Sequence, residues 1–518
     1  MLAKCYSGAV NGVESSTVEI EVNSTKATSS FAIVGLPDTA VKEAKDRVST
    51  ALKNSGYKSK DEYAVTVNLA PADVKKEGPF YDLPIAICLL KATGRLRTEN
   101  LSEYAMIGEL SLSGEIRRVS SGILPIVMEM KRIGKRAVLV PKGNAGEASV
   151  VTGIDVIPVR TLREAAQYLS GEITIEPFVT DLADLVAKDR DRGDDFSDVR
   201  GQSTVRRAIE VAVAGGHNLL MIGTPGSGKT MLARRIPSVL PPMSVEEALE
   251  VSKIYSVVGR EKGGGTFVTM RPFRAPHHTV SSIGLLGGGT HPVPGEVSLA
   301  HRGVLFLDEF AEFPRQALEV LRQPLEDGHV GVSRAAAACD YPSKFMLVAA
   351  MNPCPCGYYG DNTHECRCTQ REILKYQHRI SGPLLDRIDL QVGVSAVPAR
   401  DLAKLEPGES SADIRSRVMR AREIQRQRYA GQPGVITNAD AKGRDLRDIC
   451  RLTVTAADEI RETIDRLSLS ARAYDRVLRV ARTIADLEGK EEVDRESVME
   501  AVSYRQLDRQ ESNGNFWA

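Results

Sequence analysis

The pattern of apolar and polar positions divides the chain into regions of different character. In residues 1–175, short apolar runs alternate with helical periods, which is typical of a mixed α/β domain. Residues 64–68 and 137–140 are predicted as buried strands, and residues 83–90 as a core helix. A second alternation of strand and helix patterns, over residues 196–394, predicts a parallel sheet with helices on both faces.

The chain becomes helical after residue 398, with apolar spacing across residues 452–467 and again across residues 477–487. Residues 183–195 are rich in Asp, Arg and Lys and have little to bury, which favours an exposed linker. The predicted organisation is a domain of residues 1–175, a linker of residues 176–195, a domain of residues 196–397, a helical lid of residues 398–510 and a tail of residues 511–518.

The composition limits the class of protein without choosing a function. The chain has 518 residues, enough for about three domains with cores of their own. Lys+Arg and Asp+Glu number 68 each, so the overall charge neither indicates nor excludes a nucleic-acid partner. No apolar run approaches the roughly 18 residues of a membrane span, and the first residues lack the pattern of a signal peptide. We therefore expect a cytoplasmic protein without a membrane partner.

Residues 223–230, Gly-Thr-Pro-Gly-Ser-Gly-Lys-Thr, form a complete phosphate-binding loop of the pattern G-x-x-x-x-G-K-[ST]. The apolar residues before the loop predict a strand, and the residues after it predict a helix. Backbone N–H groups and the helix N-terminus would surround phosphate oxygens, Lys229 would reach the β- and γ-phosphates, and Thr230 would hold Mg²⁺. The predicted nucleotide-binding residues are Gly223, Thr224, Pro225, Gly226, Ser227, Gly228, Lys229 and Thr230.

Two further apolar segments end in polar residues that suit nucleotide hydrolysis. The first ends in Asp308 and Glu309, which predicts that Asp308 holds Mg²⁺ and that Glu309 polarises the attacking water. The second ends in Asn352, whose amide could orient the water or contact the γ-phosphate, although such an Asn alone is usually a turn residue. Arg387 could stabilise the charge of the transferred phosphoryl group, often from a neighbouring subunit. A salt bridge to a neighbouring aspartate, Asp386 or Asp389, explains Arg387 equally well.

These motifs, in this order, resemble those of the AAA+ ATPases. The long gap between Lys229 and Asp308 contains a Gly-rich stretch at residues 284–289, which resembles the helix-2 insert of the magnesium-chelatase and MCM-helicase branch. Arg-Ala-Pro-His-His at residues 274–278 and Ser-Ala-Arg-Ala-Tyr-Asp-Arg at residues 470–476 narrow the resemblance to the YifB/ComM family of magnesium-chelatase-like ATPases, over nearly the whole chain.

The resemblance implies roles for residues that pattern alone leaves open. It implies Asn352 as sensor 1, Arg387 as a finger acting on the next subunit and Arg472 as the sensor 2 arginine of the lid, with Arg476 and Arg479 as less favoured alternatives. It also implies ATP and Mg²⁺ as cofactors and a hexameric ring that acts on single-stranded or branched DNA, as ComM-type branch migration does. A chelatase-like or regulatory ATPase acting on a protein partner is the alternative.

Residues 76–84, 106–115 and 137–141 resemble the proteolytic domain of Lon-type proteases. Phe80 stands at the position of the catalytic serine and Leu124 at that of the catalytic lysine, and neither side chain can act as nucleophile or base. We expect oligomer contact or docking there, and no peptidase activity. The implied fold class is α/β, with an N-terminal Lon-protease-like (ribosomal S5 domain 2-like) α+β domain, an AAA+ P-loop parallel-sheet domain and a C-terminal helical lid.

Four of the eight cysteines lie within fifteen residues, as two Cys-x-Cys pairs separated by nine residues. In a reducing cytoplasm this crowding favours a metal over disulfides, and a tetrahedral zinc would stabilise a loop with few apolar residues. His364 could replace one thiol. Because the cluster begins two residues after Asn352, we expect it to transmit nucleotide state to a surface that contacts DNA or a partner. The predicted ligands are Cys354, Cys356, Cys366 and Cys368.

Two groups of basic residues are further candidates for metal or DNA contacts. His277 and His278 could bind a metal, but adjacent residues on a strand point to opposite faces, which favours a structural role. Six arginines in the first lid helix would spread around it, so we expect a solvated face there, and DNA is expected to meet the insert and a hairpin near residues 333–342, including Arg334. The six are Arg415, Arg417, Arg420, Arg422, Arg426 and Arg428.

Overall fold

The computed structural model describes residues 1–57, 63–181, 194–259, 267–289, 292–333, 338–361, 364–396, 406–432, 434–467 and 470–505. Most of the predicted linker, the whole of the predicted tail and Arg334 of the predicted DNA-contacting hairpin lie outside these residues.

The N-terminal region is built on a mixed sheet of seven strands, in the order β3-β4-β2-β1-β5-β8-β9. The strands predicted at residues 64–68 and 137–140 and the helix predicted at residues 83–90 are all present. The strands of the sheet are β1 (Leu2–Asn11), β2 (Glu14–Lys26), β3 (Ser30–Val34), β4 (Tyr63–Ala70), β5 (Tyr104–Met106), β8 (Ala137–Pro141) and β9 (Asp155–Val159), and β6 (Glu109–Leu110) pairs with β7 (Ile116–Arg117) in a separate ladder. The helices are α1 (Thr39–Asn54), α2 (Asp82–Ala92), α3 (Ile123–Arg132), α4 (Ala145–Ala148) and α5 (Leu162–Leu169).

The positions that correspond to the Lon catalytic pair lie in one apolar cluster. Leu124, on α3, is fully buried, and Phe80 packs against the same group of buried side chains. A hydrocarbon environment without a hydroxyl or amine at either position leaves no nucleophile and no base there.

A parallel sheet of five strands forms the centre of the second region, in the order β11-β14-β17-β10-β18. Side chains of β10 alternate between its faces: Leu219 and Met221 pack into one core, and Leu220 and Ile222 into another. The sheet is therefore covered on both sides, as predicted. Its strands are β10 (Leu219–Gly223), β11 (Phe273–Arg274), β14 (Val304–Leu307), β17 (Met346–Met351) and β18 (Leu390–Val394).

The helices of this region are α6 (Ser203–Gly215), α7 (Lys229–Val239), α8 (Val245–Val258), α9 (Ser282–Leu286), α10 (Glu296–Leu299), α11 (Arg315–Glu319), α12 (Arg322–Asp327), α13 (Gln370–Gln377) and α14 (Gly382–Leu385). The Gly-rich stretch near residue 288 forms α9 and a short ladder of β12 (Gly287–Gly288) with β13 (Val293–Pro294). The predicted DNA-contacting hairpin consists of β15 (His329–Ser333) and β16 (Ala338–Pro342).

The C-terminal helices pack on one face of the parallel sheet, where Val418, Val477 and Ala481 share a core with α6 and α7. Both predicted helical segments are present. The helices are α15 (Ser411–Arg428), α16 (Gly443–Ile449), α17 (Val454–Leu467), α18 (Ala471–Leu487) and α19 (Arg495–Ser503).

Most arginines of α15 are engaged within the chain. Arg417 pairs with Glu210 and Glu409, and Arg428 pairs with Asp486. Arg415 and Arg422 donate hydrogen bonds to backbone oxygens, and Arg426 pairs with Glu423 on its own helix, whereas Arg420 is exposed. These contacts agree with a helix bound to its own chain rather than with a continuous basic stripe for DNA.

The N-terminal region docks on the second region through α3 and the β1–β2 turn. The Ser256 carbonyl accepts the N–H of Gly122 over 2.9 Å, and Val13 belongs to the core that surrounds α8 and α10. The Sγ of Cys339, on β16, donates to Asn11 over 3.1 Å. The Lon-like region therefore contacts the hairpin directly.

Candidate nucleotide-binding site

The predicted phosphate loop, residues 223–230, lies between β10 and α7. Gly226 and Gly228 have φ angles of 76° and 90°, the left-handed conformation that glycine adopts without steric cost. Gly228 immediately precedes α7, so the loop leads into a helix N-terminus, where free N–H groups and the helix dipole favour an anion.

Lys229 lies across the interior of this loop. Its Nζ donates hydrogen bonds to the backbone oxygens of Gly223 over 2.7 Å and Thr224 over 2.9 Å. Burial lowers the pKa of Lys229 to about 8, against the opposing influence of Asp308. A phosphate group beside Nζ would favour the charged form.

The polar residues that follow β14 and β17 lie at the same edge of the sheet as the phosphate loop. Asp308 follows β14 and Asn352 follows β17, which is the strand between β14 and β10. Thr230 Oγ1 donates to Asp308 Oδ2 over 2.6 Å, and Lys229 Nζ donates to Asn352 Oδ1 over 3.4 Å. Hydroxyl and carboxylate oxygens are ligands that Mg²⁺ prefers, so Thr230 and Asp308 fit that ion.

Glu309 contacts a histidine that the sequence did not connect with it. The Nδ1 of His278 lies 3.0 Å from Oε2 of Glu309. The expectation that His277 and His278 point to opposite faces is wrong, because they lie in a loop rather than on a strand and their ring centroids are 4.1 Å apart. The Arg-Ala-Pro-His-His motif makes His278 conspicuous in the sequence. It does not indicate that His278 pairs with Glu309, because Glu309 follows a different strand.

Arg387 lies at the amino ends of the strands of the same sheet, which we call its amino edge. The phosphate loop, Asp308 and Asn352 lie at the carboxyl ends of the strands, the carboxyl edge. Arg387 precedes β18, whose first residue, Leu390, pairs with the first residue of β10, Leu219, whereas its last residue pairs with Gly223. The four residue steps between these pairs span roughly 13 Å, and Arg387 lies three residues further from the phosphate loop. Within one chain, Arg387 is therefore remote from Lys229.

The ion-pair partner of Arg387 is Glu326, on α12. The predicted partners, Asp386 and Asp389, both face other arginines. Glu326 was missed because it is far from Arg387 in the sequence and reaches it only through the packing of α12. The carboxylate of Glu326 is 59% exposed, so an arriving anion could compete with it for the guanidinium.

Arg472 lies beside Arg387 rather than at the phosphate loop of its own chain. Its Nη1 is 3.9 Å from Asp386, and its side chain is 74% exposed. Arg476 is buried between Asp386 and Asp389, and these arginines line a cleft of about 1040 Å³ between the sheet and the C-terminal helices. Arg479, the second alternative for sensor 2, lines the same cleft.

The four crowded cysteines bring their sulfur atoms together. All four Sγ atoms lie within 4.8 Å of one another, and the Cys354–Cys356, Cys354–Cys366 and Cys356–Cys366 separations are 3.4, 3.7 and 3.6 Å. A tetrahedral ion with bonds of about 2.3 Å to sulfur sets its ligands about 3.8 Å apart. The cluster, completed by Cys368, could therefore hold a metal ion, and His364 is outside this group.

Burial raises the pKa of Cys368 to about 12, and neighbouring thiols add to this effect. Burial acts in the same sense on Cys356, but N–H groups of Tyr358 and Arg367 outweigh it and lower the pKa of Cys356 to about 6. Thiols this close resist ionising together unless a cation lies among them.

Comparisons with known proteins give the family of this chain. The model for the magnesium chelatase subunit ChlI matches residues 195–402, that for the ChlI subunit of Mg-chelatase matches residues 20–144, and the ChlI C-terminal model matches residues 408–505. The Escherichia coli protein called "Uncharacterized protein YifB" is 44% identical over 513 residues, covering 98% of both chains. The chain belongs to the YifB/ComM family of magnesium-chelatase-like proteins. Within this family, Competence protein ComM of Haemophilus influenzae is 42% identical over 511 residues, covering 98% of both chains.

Membership in the YifB/ComM family agrees with the AAA+ architecture of the parallel sheet. Lon protease 2 of Bacillus subtilis is 27% identical over 193 residues, which is 33% of each chain. Among the described residues of this family member, no helix is long and apolar enough to cross a membrane.

Proposed function

We propose that this chain is an ATPase whose active site is completed by a second copy in a ring, and that the ring couples ATP hydrolysis to DNA remodelling. The observation that carries the proposal is the position of Arg387 and Arg472 at the amino edge of the sheet, with Lys229, Thr230 and Asp308 at the carboxyl edge. In one chain these two groups of residues lie at opposite ends of the strands, so a second copy would be needed to bring them together.

Head-to-tail contact between copies would join these two groups. Such contacts form a closed ring when the rotation between neighbours allows it, and family resemblance favours six copies. In the ring, Arg387 would exchange Glu326 for the γ-phosphate bound by the next chain, and Arg472 would approach the same nucleotide. A guanidinium suits this exchange because it stays charged and pairs with carboxylate or phosphate oxygens in the same geometry.

The carboxyl-edge residues would carry the remaining chemistry. Lys229 and the loop N–H groups would bind the phosphates, and Thr230 with Asp308 would hold Mg²⁺, which neutralises phosphate charge when bound. Glu309 would take a proton from the attacking water, and Asn352, which accepts from Lys229, would report the γ-phosphate.

We infer that the cysteine cluster binds zinc. Its sulfur separations suit tetrahedral zinc–thiolate coordination, and four thiolates strongly favour this ion over Mg²⁺. The reducing cytoplasm, where we place this protein, keeps such thiols available.

DNA is the proposed substrate because the motifs of this chain resemble those of ComM-type branch-migration motors, and a relative that covers nearly the whole chain is named Competence protein ComM. The predicted contact surface is the β15–β16 hairpin, which the Lon-like region touches through Asn11 and Cys339. A chelatase-like or regulatory ATPase acting on a protein partner is the second candidate, since three family models carry magnesium-chelatase descriptions.

The test is the steady-state rate of ATP hydrolysis by the full chain without DNA, with single-stranded DNA and with a four-way junction. We expect DNA to raise turnover at least about threefold, a change of roughly 0.7 kcal/mol in activation free energy. Glu309→Gln serves as the blank for contaminating ATPases. If neither DNA changes turnover or assembly, the DNA assignment is wrong and the protein-partner function takes its place.

A further inference from the structure

Gly357, in the cysteine loop, packs directly against Pro225 in the phosphate loop. A Cβ atom added at position 357 would lie 2.7 Å from both Cδ and Cγ of Pro225, whereas carbon atoms in favourable contact are about 3.5 Å or more apart. Gly357 also has a φ angle of 88°, a left-handed conformation that suits glycine. The two loops therefore meet where no larger residue fits without movement.

The position of Gly357 is tied to the sulfur cluster. It follows Cys356, and its N–H donates to the carbonyl of Cys354 over 3.0 Å. Cys354 is fully buried, and the adjoining carbonyl of Pro353 accepts a hydrogen bond from the buried Gln377 over 3.2 Å. Pro353, which precedes the turn, is thus anchored to α13. The position of the rest of the turn depends on the group that holds the four thiols together.

The phosphate loop is hydrogen-bonded on either side of its tip, where Lys229 donates to Thr224 over 2.9 Å and Gln202 donates to Ser227 over 2.8 Å. Pro225 and Gly226 are exposed to solvent even with Gly357 beside them. A loop that binds phosphate through its N–H groups loses affinity when those groups are free to turn away, because binding must then order them. The Gly357 contact restricts the loop on its open side.

We propose that the metal-bound cysteine cluster clamps the phosphate loop, so that occupancy of the metal site sets the affinity for ATP. This inference rests on the proposed nucleotide and zinc sites and goes beyond them, because it makes the metal a regulator of nucleotide binding in the same chain. The path is short: the metal fixes Cys354 and Cys356, the turn fixes Gly357, and Gly357 supports Pro225.

The first test removes the metal and measures ATP binding by the full chain. Cys366→Ser combined with Cys368→Ser should reduce zinc from about one ion per chain to almost none, and should raise the Kd for a fluorescent ATP analogue about tenfold. His364→Ala alters the same loop outside the sulfur cluster and should change neither quantity. An unchanged Kd in the zinc-free double variant overturns the clamp.

The second test keeps the metal ligands and changes the turn at its contact with Pro225, which covers the case in which the double variant does not fold. Gly357→Ala should retain zinc and weaken ATP binding about tenfold, and Pro225→Ala in the same chain should restore part of the loss because it removes Cγ and Cδ from the clash. If the two substitutions have strictly additive effects on the free energy of ATP binding, the contact between Gly357 and Pro225 does not connect the metal site with the phosphate loop. A wild-type chain that binds ATP with the same Kd before and after zinc is removed overturns this inference alone, whereas a chain that binds no ATP in either state overturns the proposed function.

Discussion

Arg387→Ala should lower ATP turnover by about three orders of magnitude while changing the Kd for ATP by less than about threefold. The reason is geometric: Arg387 lies at the amino edge of the sheet, remote from the phosphate loop of its own chain, and in the proposed ring it would act only on charge that develops during transfer at the neighbouring site. The measurement pairs steady-state turnover with equilibrium binding of a fluorescent ATP analogue.

Glu326→Ala is the matched control for this substitution. It removes the ion-pair partner of Arg387 but leaves the guanidinium in place, so turnover should stay within a few fold of wild type or rise. If the Arg387→Ala variant retains full turnover, Arg387 has no role in the reaction. A loss of ATP binding equal to the loss of turnover would assign it to ground-state binding instead.

Glu309→Gln should reduce kcat by about two to four orders of magnitude and leave ATP bound. The amide has the size of the carboxylate and can still face His278, but it cannot accept the proton of the attacking water. Single-turnover hydrolysis of radiolabelled ATP, together with the Kd for ATP, separates the chemical step from binding.

Glu312→Gln provides a nearby carboxylate change for comparison. Glu312 lies three residues further along and pairs with Arg379 at 2.7 Å, on the protein surface, so its substitution should leave kcat nearly unchanged. Equal losses in the two variants would indicate general damage to this segment, and an unaffected Glu309→Gln enzyme would require another base.

The carboxyl-edge half of the site could be predicted from sequence because it depends on local patterns and one rule of topology. Gly223, Asp308 and Asn352 each end or follow an apolar strand, and parallel strands bring their carboxyl ends to one edge. The four cysteines likewise lie close in sequence, so their approach needed only a short loop.

The remaining contacts depend on packing between distant segments, which no local pattern specifies. The position of Arg472 depends on how α18 docks against the sheet, and the Arg387–Glu326 pair on the placement of α12. The contact of Gly357 with Pro225 joins two separate loops. In each case the residue types were visible in the sequence, but their partners were not.

If each active site takes residues from two chains, as we propose, mixing two inactive variants should restore activity. Lys229→Ala removes the phosphate-binding half and Arg387→Ala the other, so each protein alone should hydrolyse almost no ATP. In an equal mixture that assembles at random, about a quarter of the interfaces pair an intact Lys229 with an intact Arg387, and turnover should recover in proportion. No recovery, although mixed assemblies form, would contradict a site shared between chains.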